Sequence, residues 1–332
     1  MEEVYDVLVV GAGIAGMTAA LYSARQGLKT LVVSADVGGQ LLLAPVIENY
    51  PGLESVRGFE LAQRAEAQAR AYGAEVVFDE VQEVRREGQL FVARGLYGEY
   101  RALALILACG KAPKELGVPG ERELKGRGVS YCVVCDAPLY RGRTAALVSW
   151  GYHGWESAGV LASHAKKVYW VFPGERPYED EEAVGSLLAR GNVELVPHAQ
   201  PVEIRGSGRV EALVVRDRRS GEEKVLQVDG VFIEVGYEPK TGFLRGFVEL
   251  NERGEVVVDK ECRTSQPGVF AAGDVTDLPY KQAVISAGMG AVAALSAYRY
   301  VMELKGRRVA AVSDWRHIRP KREGAGLKLS LT

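Results

Sequence analysis

Residues Val7 to Ala24 carry no charge over 18 consecutive positions, long enough to cross hydrocarbon, yet their internal order fits something else. Val7-Leu8-Val9-Val10 is an apolar run of the kind that forms a buried parallel strand. Gly11-Ala12-Gly13-Ile14-Ala15-Gly16 follows at once, and from Met17 the apolar positions Ala20, Leu21 and Ala24 recur at helical spacing until Gly27, a suitable C-terminal stop. In a strand–turn–helix context the three glycines have separate tasks. The first permits the tight turn, the second lets backbone approach a pyrophosphate, and the third allows close helix packing. The amides at the helix N-terminus then face phosphate. The stretch therefore predicts an α/β domain that binds a dinucleotide on Gly11, Gly13 and Gly16. Thr30–Val33 completes the βαβ unit. The acidic residue usual at its end is absent, and Ser34 stands there, either reaching a ribose hydroxyl or lying in a surface loop.

A second feature is Tyr131-Cys132-Val133-Val134-Cys135-Asp136. Two cysteines separated by two residues close and reopen a small disulfide ring, a reversible two-electron switch. Half of a zinc site reads the same way, but Cys109 and Cys262 are isolated and the four histidines have no short ligand spacing, so no metal is expected. Asp136 is placed to exchange a proton with a thiolate, or else to begin a helix.

The length of 332 residues suggests two domains of about 150 residues each. A net charge of -2 excludes a chain built to bind nucleic acid. Four cysteines are too few for a disulfide scaffold, and Glu2 and Glu3 replace the basic start of a secretory signal, so the expected compartment is reducing cytoplasm with no membrane span.

Further motifs make the pattern specific. Gly38-Gly39-Gln40-Leu41, Ile47-Glu48-Asn49-Tyr50-Pro51-Gly52, Gly128-Val129-Ser130-Tyr131 before the cysteines, Val269-Phe270-Ala271-Ala272-Gly273-Asp274 and Tyr280-Lys281-Gln282-Ala283-Val284 occur in order. Together they resemble the low-molecular-weight thioredoxin reductases from about residue 5 to about residue 305. The resemblance implies two Rossmann-like, three-layer ββα nucleotide-binding domains, the second inserted into the first. The first, about 1–113 plus 240–332, would hold FAD; the second, about 114–239, would carry the cysteines and be of the NADPH-binding type. It further implies FAD contacts from Gly11, Gly13, Ala15, Gly16, Ser34, Gly39, Gln40, Asn49, Val81, Gly110, Gly273, Asp274, Lys281, Gln282 and Ala283. Cys135 would face the flavin and Cys132 would attack the partner. A thioredoxin or glutaredoxin-like protein disulfide as partner, a homodimer, and a rotating central domain belong to the same expectation. Cys109 stands where the family has threonine, and reads as a packed small hydrophobe.

The departures concentrate in the central domain. Thr144–Val148 reads as its first strand, a helix runs from about His153 to Ala165, and Lys167–Phe172 is the next strand. The turn between them is Ser149-Trp150-Gly151-Tyr152-His153-Gly154, where the family has a glycine-rich loop, and β-carbons there restrict approach to a pyrophosphate. After the second strand the family's His-Arg-Arg cluster for the 2′-phosphate is replaced by Phe172-Pro173-Gly174-Glu175-Arg176, with Glu179 to Glu182 nearby. The expectation is a thioredoxin reductase-like flavoprotein that uses NADPH poorly. Ferredoxin or a second flavin are alternative sources of electrons. The aromatics Trp150, Tyr152, Trp155, Trp170 and Phe172 are expected to fill the old pocket rather than stack on a second flavin. A tail from about residue 306 is basic, with eight Lys or Arg against two acids from Lys305 on, a surface suited to an acidic carrier or simply solvated. A conventional NAD(P)H-dependent enzyme, a dithiol oxidase and a redox-sensing binding protein are the competing classes.

Overall fold

A computed structural model describes residues 3–44, 46–150, 154–177 and 181–307. Tyr152 and His153 of the central turn, Glu179 and Asp180, and the tail from residue 308, with Trp315 and His317, lie outside the described residues. The chain divides into two compact units, Met1–Ala112 with Pro239–Thr332, and Pro113–Glu238.

The first unit opens with β1 (Val4–Ala12), α1 (Ile14–Arg25), β2 (Thr30–Val37), α2 (Gly58–Ala71) and β3 (Glu75–Phe78). A meander follows, β4 (Glu83–Glu87), β5 (Leu90–Arg94) and β6 (Glu99–Leu107). The sheet runs β3-β2-β1-β6-β5-β4, parallel through β6 and antiparallel beyond it. Val7, Leu8 and Val9 are all fully buried, so β1 is covered on both faces. That is why its sequence is a continuous apolar run rather than an alternation.

The chain passes to the second unit through β7 (Lys111–Pro113). Next come β8 (Val129–Ser130), α3 (Val133–Asp136), β9 (Thr144–Ser149), α4 (Gly154–Ala162), β10 (Lys167–Val171), α5 (Glu181–Leu188) and β11 (Val193–Val196). An antiparallel layer, β12 (Ala199–Arg205), β13 (Ala212–Asp217) and β14 (Glu223–Gln227), precedes β15 (Gly230–Glu234). The parallel sheet is ordered β11-β10-β9-β15-β8, so the strand order reverses at β9. The chain leaves through β16 (Tyr237–Pro239), which pairs with β7.

Back in the first unit, β17 (Val269–Ala271) joins β6 in parallel, and α6 (Ala283–Leu304) packs on α1. Small residues allow the close crossing: Ala15, Ala19 and Ala20 share a core with Ala293, Ala294 and Ala297. Helix α6 is long and apolar enough by composition to cross a bilayer, but this alanine face is buried within the unit. Each unit thus has helices on one side of a parallel sheet and antiparallel strands elsewhere, the α/β class expected.

Three boundaries differ from the sequence reading. Strand β2 continues to Val37, so Ser34 lies inside it, opposite Phe78, and not at its end. The backbone ladders to β1 and β3 carry the strand past the apolar run on which the reading relied. Apolar spacing from Leu61 to Tyr72 predicts an amphipathic helix, and α2 starts about one turn earlier, at Gly58. Helix α4 ends at Ala162 rather than Ala165.

Candidate functional site

Ligands of open parallel sheets lie beyond the carboxyl ends of the strands. In the first unit that edge is lined by the turn between β1 and α1. Gly11 has φ +103°, and a Cβ there would stand 2.4 Å from the Ala108 carbonyl oxygen. Glycine is thus required by the protein's own backbone. Gly13 is different. Its φ of -69° suits any residue, and a Cβ would meet nothing nearer than the Gly38 carbonyl oxygen at 4.0 Å. Internal packing gives no reason for glycine at 13, whereas a pyrophosphate against the start of α1 does. No side chain caps that helix, so its first amides point into the same space. The residues present fit a dinucleotide cofactor.

The other predicted contacts converge on this edge from far apart in sequence. Gln40 Nε2 donates to Asp274 Oδ2 at 3.1 Å, and Ser286 Oγ donates to Asp274 Oδ1 at 3.0 Å. Asn49 Nδ2 donates to Gln282 Oε1 at 3.2 Å. A Cβ on Gly273 would come within 2.8 Å of the Ala15 side chain, and one on Gly39 within 3.7 Å of Gly13, so these four positions adjoin. Gly110 follows β6 with φ +63°, and Ala283 opens α6. Lys281 Nζ donates to the Thr276 carbonyl and lies 3.4 Å from Glu255. The Ser34 carbonyl accepts the Asp79 amide, and the Val81 side chain is buried in the core on the face of the sheet away from α1. Cys109 donates a long hydrogen bond to the Lys240 carbonyl, and burial pushes its thiol up to about 12, so it stays protonated and unreactive.

In the second unit Cys132 and Cys135 are joined in a disulfide. Cys132 is the N-cap of α3, and its Sγ accepts the Cys135 amide at 3.2 Å. The same donor would favour a thiolate on Cys132 once the bond is reduced. Cys135 is exposed, and Val134 between them is 42% exposed, so a partner has access to the ring. Asp136 is half-buried and lies in the first turn of α3, where an acid suits the helix dipole; its side chain makes no capping hydrogen bond to the turn that follows, so both readings of it stand.

Sequence reasoning missed Glu121. Its buried carboxylate accepts the amides of Leu116, Gly117 and Val118 and the Tyr131 hydroxyl at 2.7 Å, bracing the residue before Cys132. Burial first, and then Glu121, raises the Tyr131 pKa, so the phenol stays a donor. An acid in a surface-like Pro-Gly-Glu context carries no local signal of such burial.

At the β9–α4 turn the expectation about aromatics divides. Trp170 and Phe172 fill the core, 1% and 2% exposed and edge-on to each other at 5.8 Å. The Trp170 indole donates to the Ser149 carbonyl at 3.2 Å. Trp150 and Trp155 do not fill it; they are 37% and 39% exposed. Trp150 follows the end of β9 and Trp155 lies in the first turn of α4, where the side chains point out of the β9–β10 core. Beyond β10, Arg176 forms an ion pair with Glu181. The fold adds a cation that the sequence did not reveal: Arg218 Nη1 donates to the Pro173 carbonyl at 3.4 Å, brought there from the end of β13.

Comparison with known proteins identifies the family. Residues 5–297 match the family described as Pyridine nucleotide-disulphide oxidoreductase. The F subunit of the alkyl hydroperoxide reductase of Pseudomonas aeruginosa is 39% identical over 91% of this chain, and the chain spans 59% of that relative's length. The thioredoxin reductase of Aquifex aeolicus is 40% identical over 90% of this chain and 94% of its own. Among solved structures, the thioredoxin reductase of Lactococcus lactis superposes with TM-score 0.76 at 32% identity, covering 90% of this chain and 99% of that one. A ferredoxin-flavin thioredoxin reductase from Clostridium acetobutylicum superposes with TM-score 0.53 at 31% identity, covering 92% and 100%. The chain belongs to the pyridine nucleotide-disulphide oxidoreductase family and, within it, to the low-molecular-weight thioredoxin reductases.

Proposed function

We propose that this protein passes electrons from FAD through the Cys132–Cys135 pair to a disulfide of thioredoxin or a glutaredoxin-like protein, and that NADPH is a poor source of those electrons. FAD would lie against Gly11, Gly13, Gly16, Asp274 and Gln282, where it supplies a two-electron carrier. Two electrons and two protons open the Cys132–Cys135 bond to two thiols. The Cys132 thiolate, favoured by the Cys135 amide, attacks a partner disulfide and forms a mixed disulfide. The partner's displaced thiolate takes a proton, for which Asp136 is the adjacent carboxyl group. Cys135 then attacks Cys132 Sγ, releases the partner's second thiol and closes the ring.

The observation that carries the reading is an exposed disulfide whose first sulfur accepts an amide; the altered donor is supported by the sequence Ser149-Trp150-Gly151 where the family has a glycine-rich turn. Arg176 shares its charge with Glu181 in an exposed ion pair, and Ser149, the last residue of β9, is buried. Arg218, at the same loop, favours a second reading in which a nicotinamide dinucleotide still binds with modest affinity. The ferredoxin-flavin relative supports ferredoxin as donor, and the exposed Trp150 and Trp155 suit a second flavin. The chain's few cysteines and cycling dithiol suit a reducing cytoplasm, and its family resemblance suits a homodimer.

Anaerobic titration of the flavin absorbance tests the proposal. Bleaching by reduced thioredoxin, but not by NADPH or NADH at millimolar concentration, is the expected result. Rapid bleaching by micromolar NADPH refutes the altered donor and leaves a conventional reductase; a flavin that no dithiol reduces refutes disulfide exchange.

A further inference from the structure

Glu255 is buried in the first unit, 5% exposed, and two lysines share it. Lys111 Nζ lies 2.8 Å and Lys281 Nζ 3.4 Å from the same Oε1, while Asn251 Nδ2 donates to Oε2 at 2.9 Å. The three charges come from three segments: the first residue of β7, the loop before β17, and the residue preceding the N-cap of α6. Their sum is one positive charge in a low-dielectric pocket. Burial lowers the Lys281 pKa, with Lys111 adding to this and Glu255 opposing it. The neighbouring start of α6 has no side-chain cap, so its amides add further positive potential at the same end of the crevice.

The position of this charge follows from the sheet. The pyrophosphate end of a dinucleotide faces α1 after β1, and the adenosine half lies toward the end of β2. The other half must then run the opposite way, past β6 and β17, where Asp274, Gln282 and Lys281 line the edge. The redox-active ring therefore ends beside α6. A flavin ring that takes up two electrons and one proton becomes an anion, and charge near it tunes its electronics.

We infer that Glu255 is a positioning residue that fixes Lys111 and Lys281 beside the flavin and sets the flavin potential through the cluster's net charge. The inference rests on the FAD reading of this crevice. Three purified variants test it by opposite signs. Glu255→Gln removes a negative charge without changing shape, and should favour the reduced flavin by about tenfold at fixed potential, a rise of about 30 mV for a two-electron couple. Lys281→Met and Lys111→Met should each shift the midpoint in the other direction. Melting of the flavin-free proteins separates packing from charge, since a purely structural role moves stability in one direction for all three variants and leaves the potentials unordered. Potentials that do not move, move with one sign, or cannot be measured because all three variants lose the flavin overturn the inference. A wild-type protein that takes up no flavin overturns the FAD reading instead.

Discussion

The contrast between Gly11 and Gly13 gives the sharpest test of the cofactor crevice, because one substitution should damage the fold and the other only the ligand. At Gly11 an alanine must adopt φ +103°, where an L side chain costs about 1–2 kcal/mol. Its Cβ would also stand 2.4 Å from Ala108 O, 2.7 Å from Ala108 C and 2.9 Å from Cys109 Cα, all backbone atoms that cannot turn aside. Relief requires β1 and β6 to separate, so Gly11→Ala should cost about 3 kcal/mol or more of stability. At Gly13 the backbone is already extended and the Cβ meets nothing within 4 Å except the Gly38 oxygen at that limit. Alanine is a poorer N-cap than glycine by roughly 0.5–1 kcal/mol, and it stiffens the unfolded chain by about 0.4–1 kcal/mol. The two effects nearly cancel. Urea denaturation of flavin-free Gly13→Ala should therefore match the wild type within about 1 kcal/mol, while flavin reconstitution, followed by quenching of flavin fluorescence, should be weakened at least a hundredfold, about 3 kcal/mol. A Gly13→Ala protein that binds flavin normally, or that is as unstable as Gly11→Ala, would refute the assignment of the crevice.

Other outcomes follow from the same geometry. Cys135→Ser should trap a mixed disulfide between Cys132 and its protein partner, visible on non-reducing electrophoresis; trapping by Cys132→Ser instead would reverse the roles of the two sulfurs. Trp170→Ala removes a side chain that is 1% exposed and should cost about 3–5 kcal/mol, whereas Trp150→Ala should leave the denaturation midpoint almost unchanged. Burial raises the Glu255 pKa, but Lys111, Asn251 and Lys281 outweigh it and bring it from the usual 4.5 to about 2. A carboxylate depressed in the fold stabilises above its unfolded value and loses that contribution as pH falls through the window from 4.5 to about 2, here about 3 kcal/mol. Urea midpoints of the wild type should thus fall more steeply across that window than those of Glu255→Gln, and parallel slopes would contradict the pairing.

What the sequence determined by itself is local. The βαβ start, the glycines of the first turn and the cysteine pair depend on apolar period, on φ at single residues and on a two-residue spacing, all within a few positions. The family motifs extended this to the α/β class and to the edge where a flavin is expected. Tertiary structure decided what depends on convergence. Gln40 meets Asp274 across 234 residues, and Asn49 meets Gln282 across 233. Glu255 collects lysines 144 residues before it and 26 after it, and Arg218 reaches a loop 45 residues away. Trp170 and Trp150 are both tryptophans near one turn, yet one is core and the other surface, because the first lies within a strand whose side chains alternate into the helix-covered face and the second lies beyond a strand's end. Burial and charge pairing of this kind are set by which strands are neighbours, and the topology that makes them so is not written in any single stretch of the chain.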